Sequence, residues 1–302
     1  MKTEKIVIGI DIGGTKTAVS AGNESGKILE KKAFPTDRNL KAALDNIFKE
    51  AEVLAGKYGG RTAALGVSCG GPLDSGKGVI QSPPNLPGWD DVPIIEMLTK
   101  RFSLPAFIEN DANACALAEW YYGAGRGCQN MIFLTFGTGL GAGLILDGRL
   151  YRGANGLAGE AGHIRMSDNG PLGYGKRGSL EGWCSGGGLS GAWQDMYGEA
   201  ISGGEVCIRA EKGDPKALKI IEQSAVMLGR GLALLIDIIN PERIVIGSIF
   251  VRSEALFRGI AEKVIHEEAL PLSAGVCTLH PAELGESLGD TAALCVAVNG
   301  IR

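Results

Sequence analysis

Two stretches of this chain share one form, and that form limits the fold. Ile6–Ile12 (IVIGIDI) is a short apolar run that breaks at Gly13-Gly14 and resumes over Thr17–Ala21. Met131–Leu146 (MIFLTFGTGLGAGLIL) repeats the pattern of apolar run, glycine turn and apolar run. Each predicts a strand, a tight turn and a returning strand. The copies lie more than a hundred residues apart, so a duplicated unit is expected rather than a solenoid.

Around each hairpin, strands alternate with helices. Leu40–Tyr58 has helical spacing, Ala63–Ser68 and Pro105–Glu109 read as strands, and Ala112–Tyr122 as a helix capped by Asn110 or Asp111. Pro215–Ile239 predicts a long helix that stops before Asn240-Pro241. Arg243–Ile246 reads as a buried strand, and Ser253–Glu268 and Asp290–Val298 as helices. The class is α/β with mixed sheets. A break near residue 120 is expected, giving one domain of residues 1–119 plus 290–302 and another of 120–289.

Composition excludes several functions. The chain has 302 residues, 45% hydrophobic and 21% charged, which is enough for a packed core and argues against disorder. The net charge is -4 and no Lys/Arg run tracks a phosphodiester backbone, so nucleic acid is not expected as a partner. Seven cysteines stand without C-x-x-C spacing, which predicts a reducing compartment and no structural zinc. MKTEKIVIGI runs straight into a strand and does not read as a signal peptide. The longest apolar run, Leu232–Ile239, is broken by Asp237 and is too short to span a bilayer. A soluble cytoplasmic protein without a membrane partner is expected.

The loudest motif misleads. Gly173-Tyr-Gly-Lys-Arg-Gly178 reads as G-x-G-x-x-G, but turn-like residues 163–171 precede it where a dinucleotide fingerprint needs a strand. Started at Gly170, the stretch is one residue short of a Walker loop, with Arg177 where the magnesium-binding hydroxyl belongs. Chance spacing in a glycine-rich loop is the better reading. The two hairpin turns are better phosphate candidates. Asp11-Ile-Gly-Gly-Thr15 offers backbone N–H groups and a hydroxyl, with Asp11 placed to hold Mg2+ through water. Thr135-Phe-Gly-Thr138-Gly139 is the second such turn. Asn110 and Asp111 stand at a strand-to-helix junction, where they serve either as caps or as catalytic groups. A carboxylate beside two phosphate turns suits phosphoryl transfer, which needs an acceptor for the hydroxyl proton. Glu160, His163 and Glu181, with Asn110 and Asp111, form a dense polar set suited to sugar hydroxyls.

Taken together, GIDIGGTKT, IENDANA, FGTGLGAGL, GANGLAGEAGH and LGDTAAL resemble the ROK family of sugar kinases and related repressors, from Ile6 to about Val298. The resemblance implies the actin-like ATPase (ribonuclease H-like) fold, two duplicated α/β domains with ATP and sugar in the cleft between them. It implies Asp111 as catalytic base and Asn110, Glu160, His163 and Glu181 as sugar contacts. Asn85 lies in Pro84-Asn-Leu-Pro-Gly-Trp89, which resembles a sugar-side segment, though Trp89 is equally read as packing. Asp11, Gly13, Gly14, Thr15, Lys16, Thr17, Gly137, Thr138 and Gly139 would line the phosphates. Gly247 would lie near adenosine, with Ser248 where the family usually repeats Gly.

After G-E-x-G-H most of the family carries C-x-C-G-x-x-G-C-x-E, whose cysteines bind zinc with the His. Here Leu172, Tyr174 and Ser179 replace all three cysteines while the glycine spacing and Glu181 remain. A thiolate zinc site is therefore not expected. Leu172 and Tyr174 are expected to pack apolarly, leaving His163 to bond a sugar. The implied activity is ATP- and Mg2+-dependent phosphorylation of a hexose, glucose at O6 by default. Fructose, mannose, allose and N-acylhexosamines stay open, as does a homodimer. Three rivals remain. A repressor would need a helix-turn-helix ahead of Ile6. A structural ATPase would have no use for Asn110-Asp111 with Glu160 and His163. A sugar sensor would not need Asp111.

Overall fold

The computed structural model describes residues 4–302. The chain divides into two compact units. One comprises residues up to Arg126, Arg152–Gly156 and Glu286–Arg302; the other comprises Gly127–Tyr151 and Leu157–Gly285. Each is built on a five-stranded mixed sheet.

The first sheet contains β1 (Ile6–Ile12), β2 (Lys16–Asn23), β3 (Ile28–Pro35), β4 (Thr62–Cys69) and β5 (Ala106–Asn110), in the order β3-β2-β1-β4-β5. The second contains β6 (Met131–Phe136), β7 (Leu140–Leu146), β8 (Arg149–Tyr151), β9 (Arg243–Ile246) and β10 (Thr278–Pro281), in the order β8-β7-β6-β9-β10. Both follow one plan. Three strands meander antiparallel, and two more join the first strand's other edge in parallel. The duplication expected from the two hairpins is therefore present strand for strand.

Side-chain alternation explains what β1 presents. Ile6, Ile8, Ile10 and Ile12 point to one face and join a core with Leu44, Ile47 and Leu54 of the helix Leu40–Tyr58. Each such side chain stabilises the fold by roughly 1.5–3 kcal/mol on burial. On the other face Val7 packs with Ala64, Leu294 and Ala297. There the helix Leu288–Gly300 lies so close that a Cβ on Gly9 would sit 2.7 Å from Leu294 N, and one on Gly66 would overlap Ala293 O. Glycine in a strand commonly marks such a backbone approach. Asp11 is the next residue on this helix-covered face.

In the second unit Ile132, Leu134 and Phe136 of β6 pack with Leu228, Leu232 and Ile236 of the helix Pro215–Ile239. That helix starts with Pro215 behind the Asp214 cap and ends at Asn240 in a left-handed conformation, which asparagine tolerates at a helix end, and the following Pro241 cannot continue the helix. Among the described residues no helix is long and apolar enough to cross a membrane.

Candidate functional site

Parallel pairing lines up three strand ends in the first unit. Ile12 of β1 is opposite Cys69 of β4, and Cys69 is opposite Asn110 of β5. The loops that follow therefore leave from one edge, where open α/β sheets carry their ligands. They are Gly13–Thr15, Gly70–Pro72 and the start of the helix Asp111–Tyr122. Asn85 lies against the first two. A Cβ on Gly14 would strike Asn85 O, and one on Gly70 would come within 3.4 Å of Asn85 Nδ2. Asn110 Oδ1 caps the helix by accepting the Asn113 N–H at 3.0 Å. Asp111 is exposed in the first turn, with Oδ1 accepting the Ala112 N–H at 2.8 Å. So Asn110 is the cap and Asp111 stands beside it, facing solvent.

The Gly13 turn is braced from below. Thr36 Oγ1 donates to Gly13 O at 2.6 Å and lies 2.8 Å from Thr17 Oγ1. Thr17 is 1% exposed, so its hydroxyl supports the turn from beneath, whereas Thr15 and Lys16 are open to solvent. Trp89 is buried in the core.

Asp11 is electrostatically uncomfortable. Burial raises its carboxyl to about 6, with help from the charges of Asp290 and Asp111; the Ser68 hydroxyl and the Lys31 ammonium pull the other way. Asp290 is itself buried and ion-paired with Lys31. A Cβ on Gly289 would lie 2.9 Å from Asp11 Oδ2, so the start of the closing helix seats that carboxylate.

In the second unit the Gly137–Gly139 turn is held by backbone. Gly186 N donates to Gly137 O at 2.7 Å and Gly187 N to Thr138 O at 3.0 Å. Both amides open the helix Gly186–Tyr197, whose cap is Ser185. Gly247 N donates to Leu134 O, which brings Gly247 and Ser248 beside Gly137. Ser248 has φ +59°, the region glycine enters at least cost. Glu181 follows Ser179, the cap of the short helix Leu180–Trp183. One Glu181 oxygen accepts the Leu140 N–H at 3.0 Å, just past the turn, and the other accepts the Tyr174 N–H at 2.8 Å. Tyr174 Oη donates to Glu160 Oε2 at 2.9 Å, and its ring meets His163 edge-on at 5.0 Å. Glu160, His163 and Glu181 are thus brought together.

The false nucleotide motif is a small hairpin. Leu172–Gly173 pairs with Lys176–Arg177 across Tyr174-Gly175, at φ +52° and +74°. Positive φ at both central residues is the two-residue turn that matches strand twist. Apolar packing was expected for Leu172 and Tyr174, and the structure corrects this. Leu172 is 57% exposed because the hairpin projects it outward, and Tyr174 acts through its hydroxyl and amide. Ser179 Oγ donates to Gly173 O at 2.8 Å. Sequence reasoning missed the bracing roles of Thr36 and Tyr174. A Tyr-Gly pair between short strands is the local signal for the second. Among the described residues no three His, Cys, Asp or Glu side chains gather as ligands of one metal ion.

The ROK family model matches residues 7–298. The chain is 33% identical to a glucokinase of Thermotoga maritima, covering 94% of each chain. It is 33% identical to an N-acetylmannosamine kinase of Yersinia pestis, over 85% of this chain and 86% of that one. Among solved structures it resembles a ROK hexokinase from Thermus thermophilus, with TM-score 0.87, 32% identity and coverage of 98% and 99%. It also resembles a ROK family glucokinase from Streptomyces griseus in complex with glucose and AMPPNP, with TM-score 0.78, 29% identity and coverage of 99% and 100%. The match spans both units, both sheets and nearly every residue, and on that ground the chain belongs to the ROK family, as a glucokinase-like sugar kinase with the actin-like ATPase fold.

Proposed function

We propose that this chain is an ATP-dependent hexose kinase that phosphorylates glucose at O6, with Asp111 as general base. One observation carries the reading. The parallel strand ends bring Asn110, the exposed Asp111 and a glycine turn packed against Asn85 to one edge, beside a half-buried carboxylate, Asp11. The glucose and AMPPNP held by the Streptomyces griseus relative support the choice of both ligands.

In this reading Asn85, Asn110, Glu160, His163 and Glu181 bond the sugar hydroxyls. Gly13, Gly14, Thr15, Lys16, Gly137, Thr138 and Gly139 line the phosphates, and Gly247 lies toward adenosine. Asp111 accepts the O6 proton. The O6–P bond forms as the bond from the γ-phosphorus to the bridging oxygen breaks, and ADP leaves with that electron pair. The transition state is loose, so positioning matters more than basicity.

The residues fit a magnesium ion bound with ATP. Asp11 would hold it, because a cation offsets the burial and the neighbouring charges of Asp290 and Asp111 that raise this carboxyl. Bound there it would supply neutralisation of phosphate charge. Zinc does not fit. Leu172, Tyr174 and Ser179 offer no thiolate, and Tyr174 and Ser179 are hydrogen-bonded within the loop.

A coupled assay of ADP release with glucose, mannose, fructose, allose, GlcNAc and ManNAc, beside a sugar-free control, tests the reading. Turnover dependent on glucose is the expected result. A response to ManNAc alone would transfer the assignment to an N-acylhexosamine, the reading favoured by the Yersinia pestis relative. Equal turnover without sugar would end the kinase reading.

A further inference from the structure

We propose that Tyr174 is a positioning residue that fixes Glu160, His163 and Glu181 for the sugar, and that it thereby sets sugar affinity. The proposal rests on the kinase reading for what those three side chains face.

Three contacts from one residue carry it. The Tyr174 hydroxyl donates to Glu160 Oε2 at 2.9 Å. Its backbone N–H donates to Glu181 Oε1 at 2.8 Å. Its ring packs edge-on against His163, at 75° and 5.0 Å between centroids. The neighbouring Lys176 Nζ adds a contact 3.4 Å from His163 Nδ1. Lysine only donates, so Nδ1 accepts and Nε2 carries the ring proton. Each group is thus held on one side and keeps another for a ligand. Glu160 keeps its second oxygen, His163 its Nε2–H, and Glu181 its remaining lone pairs beyond the Leu140 and Tyr174 amides.

The backbone shows that this arrangement is held against a local cost. Tyr174 sits at φ +52°, where an L residue with a Cβ is disfavoured by roughly 1–2 kcal/mol. A turn needing only its shape would do better with glycine, as Gly175 does beside it at +74°. The side chain offsets that cost through Glu160 and His163. Partial burial, the bond to Glu160 and the charges of Glu160 and Glu181 push the hydroxyl up to about 12, so it remains a donor at neutral pH. A pocket wall of this kind fixes rotamers before the ligand arrives, which lowers the entropy lost on binding.

The test separates affinity from folding. Tyr174→Phe keeps the ring on His163 and the amide on Glu181 and removes only the bond to Glu160. Tyr174→Gly removes the side chain but suits the positive φ, so the variant folds. Sugar KM, ATP KM, kcat and Tm are measured for both. Tyr174→Phe is expected to raise the sugar KM about fivefold, the loss of one hydrogen bond. Tyr174→Gly is expected to raise it further while Tm holds or rises. ATP KM stays within about twofold in both, since the hydroxyl touches no phosphate turn. If both variants keep the wild-type sugar KM, Tyr174 is a turn residue only and the proposal falls while the kinase reading stands. If sugar KM is unchanged and only Tm drops, the proposal falls in the same way. Wild-type protein with no sugar-dependent turnover brings down the kinase reading itself, and this proposal with it, before any variant is made.

Discussion

The two glycine turns share a backbone plan and differ in almost everything attached to it. Position 11 in β1 is an aspartate that faces the closing helix. The matching position in β6 is Thr135, whose hydroxyl accepts the Gly141 N–H from its own partner strand at 2.9 Å. The first turn is braced by side-chain hydroxyls, Thr17 and Thr36 under Gly13. The second is braced by main-chain amides from the helix Gly186–Tyr197. Sheet order and strand direction are the same in both units. Duplication has preserved what strand pairing fixes and released what the strand ends carry. Charge has gathered in the first unit, at Asp11, Asp111 and Asp290, while the second gathers a hydrogen-bonded set around Tyr174. In the proposed reaction a proton and a cation call for the first, and neutral hydroxyls for the second.

The sharpest way to break this contrast is at Asp111. Asp111→Ala is expected to lower kcat by roughly 10²- to 10⁴-fold, the range of a lost general base. Tm should hold, because Asn110 rather than Asp111 caps the helix. Near-wild-type turnover in the coupled assay would remove the base role from the charged unit.

Asp11→Asn separates function from stability. Its carboxyl is raised to about 6 in the fold, above the ordinary 3.8. Between those values the folded state binds more protons than the unfolded state, so stability falls as pH rises through the window. Above about pH 6 the full penalty is present. Asparagine has no such penalty, so the variant should be more stable than wild type at pH 7 by about 3 kcal/mol, a Tm gain of a few degrees. The gain should fade below about pH 4. Turnover should drop, since a neutral amide holds Mg2+ poorly. Thermal melts at pH 4 and pH 7.5 check this. A variant less stable at pH 7.5 would show that Asp11 is a satisfied structural group.

The sequence carried topology better than bracing. The helix Pro215–Ile239 and the strand Arg243–Ile246 stand where the apolar runs and Pro241 put them. Thr62–Cys69 extends the expected strand by one residue at each end. These are long or fully buried segments whose periodicity survives any local context. β3 was not legible, because ILEKKAFP is an edge strand with charged residues and little burial. The helices Gly186–Tyr197 and Gly203–Glu211 begin on glycine runs that read as loops, and only the cap serines Ser185 and Ser202 announce them. Tyr174 was hidden for a different reason. Its three partners are between seven and fourteen residues away, gathered by a turn whose positive φ the sequence does not advertise at a tyrosine.

The smallest expected effects test the bracing itself. Thr36→Val removes the hydroxyl that holds Gly13 O and leaves buried Thr17 Oγ1 without its partner. An unsatisfied buried hydroxyl costs about 1–3 kcal/mol, and the loosened turn should raise ATP KM several-fold while sugar KM stays. Ser185→Ala removes the cap hydroxyl that accepts the Gly188 N–H at 2.9 Å. That should cost about 1 kcal/mol of stability. Yet the amides of Gly186 and Gly187 remain on the second turn, since no side chain makes those bonds. ATP KM should therefore move less than about twofold in Ser185→Ala. A turn braced by main chain resists substitution, and a turn braced by hydroxyls does not. Equal rises in ATP KM for the two variants would show that the second turn depends on its cap as much as the first depends on Thr36, and the contrast between the units would then reduce to the carboxylates alone.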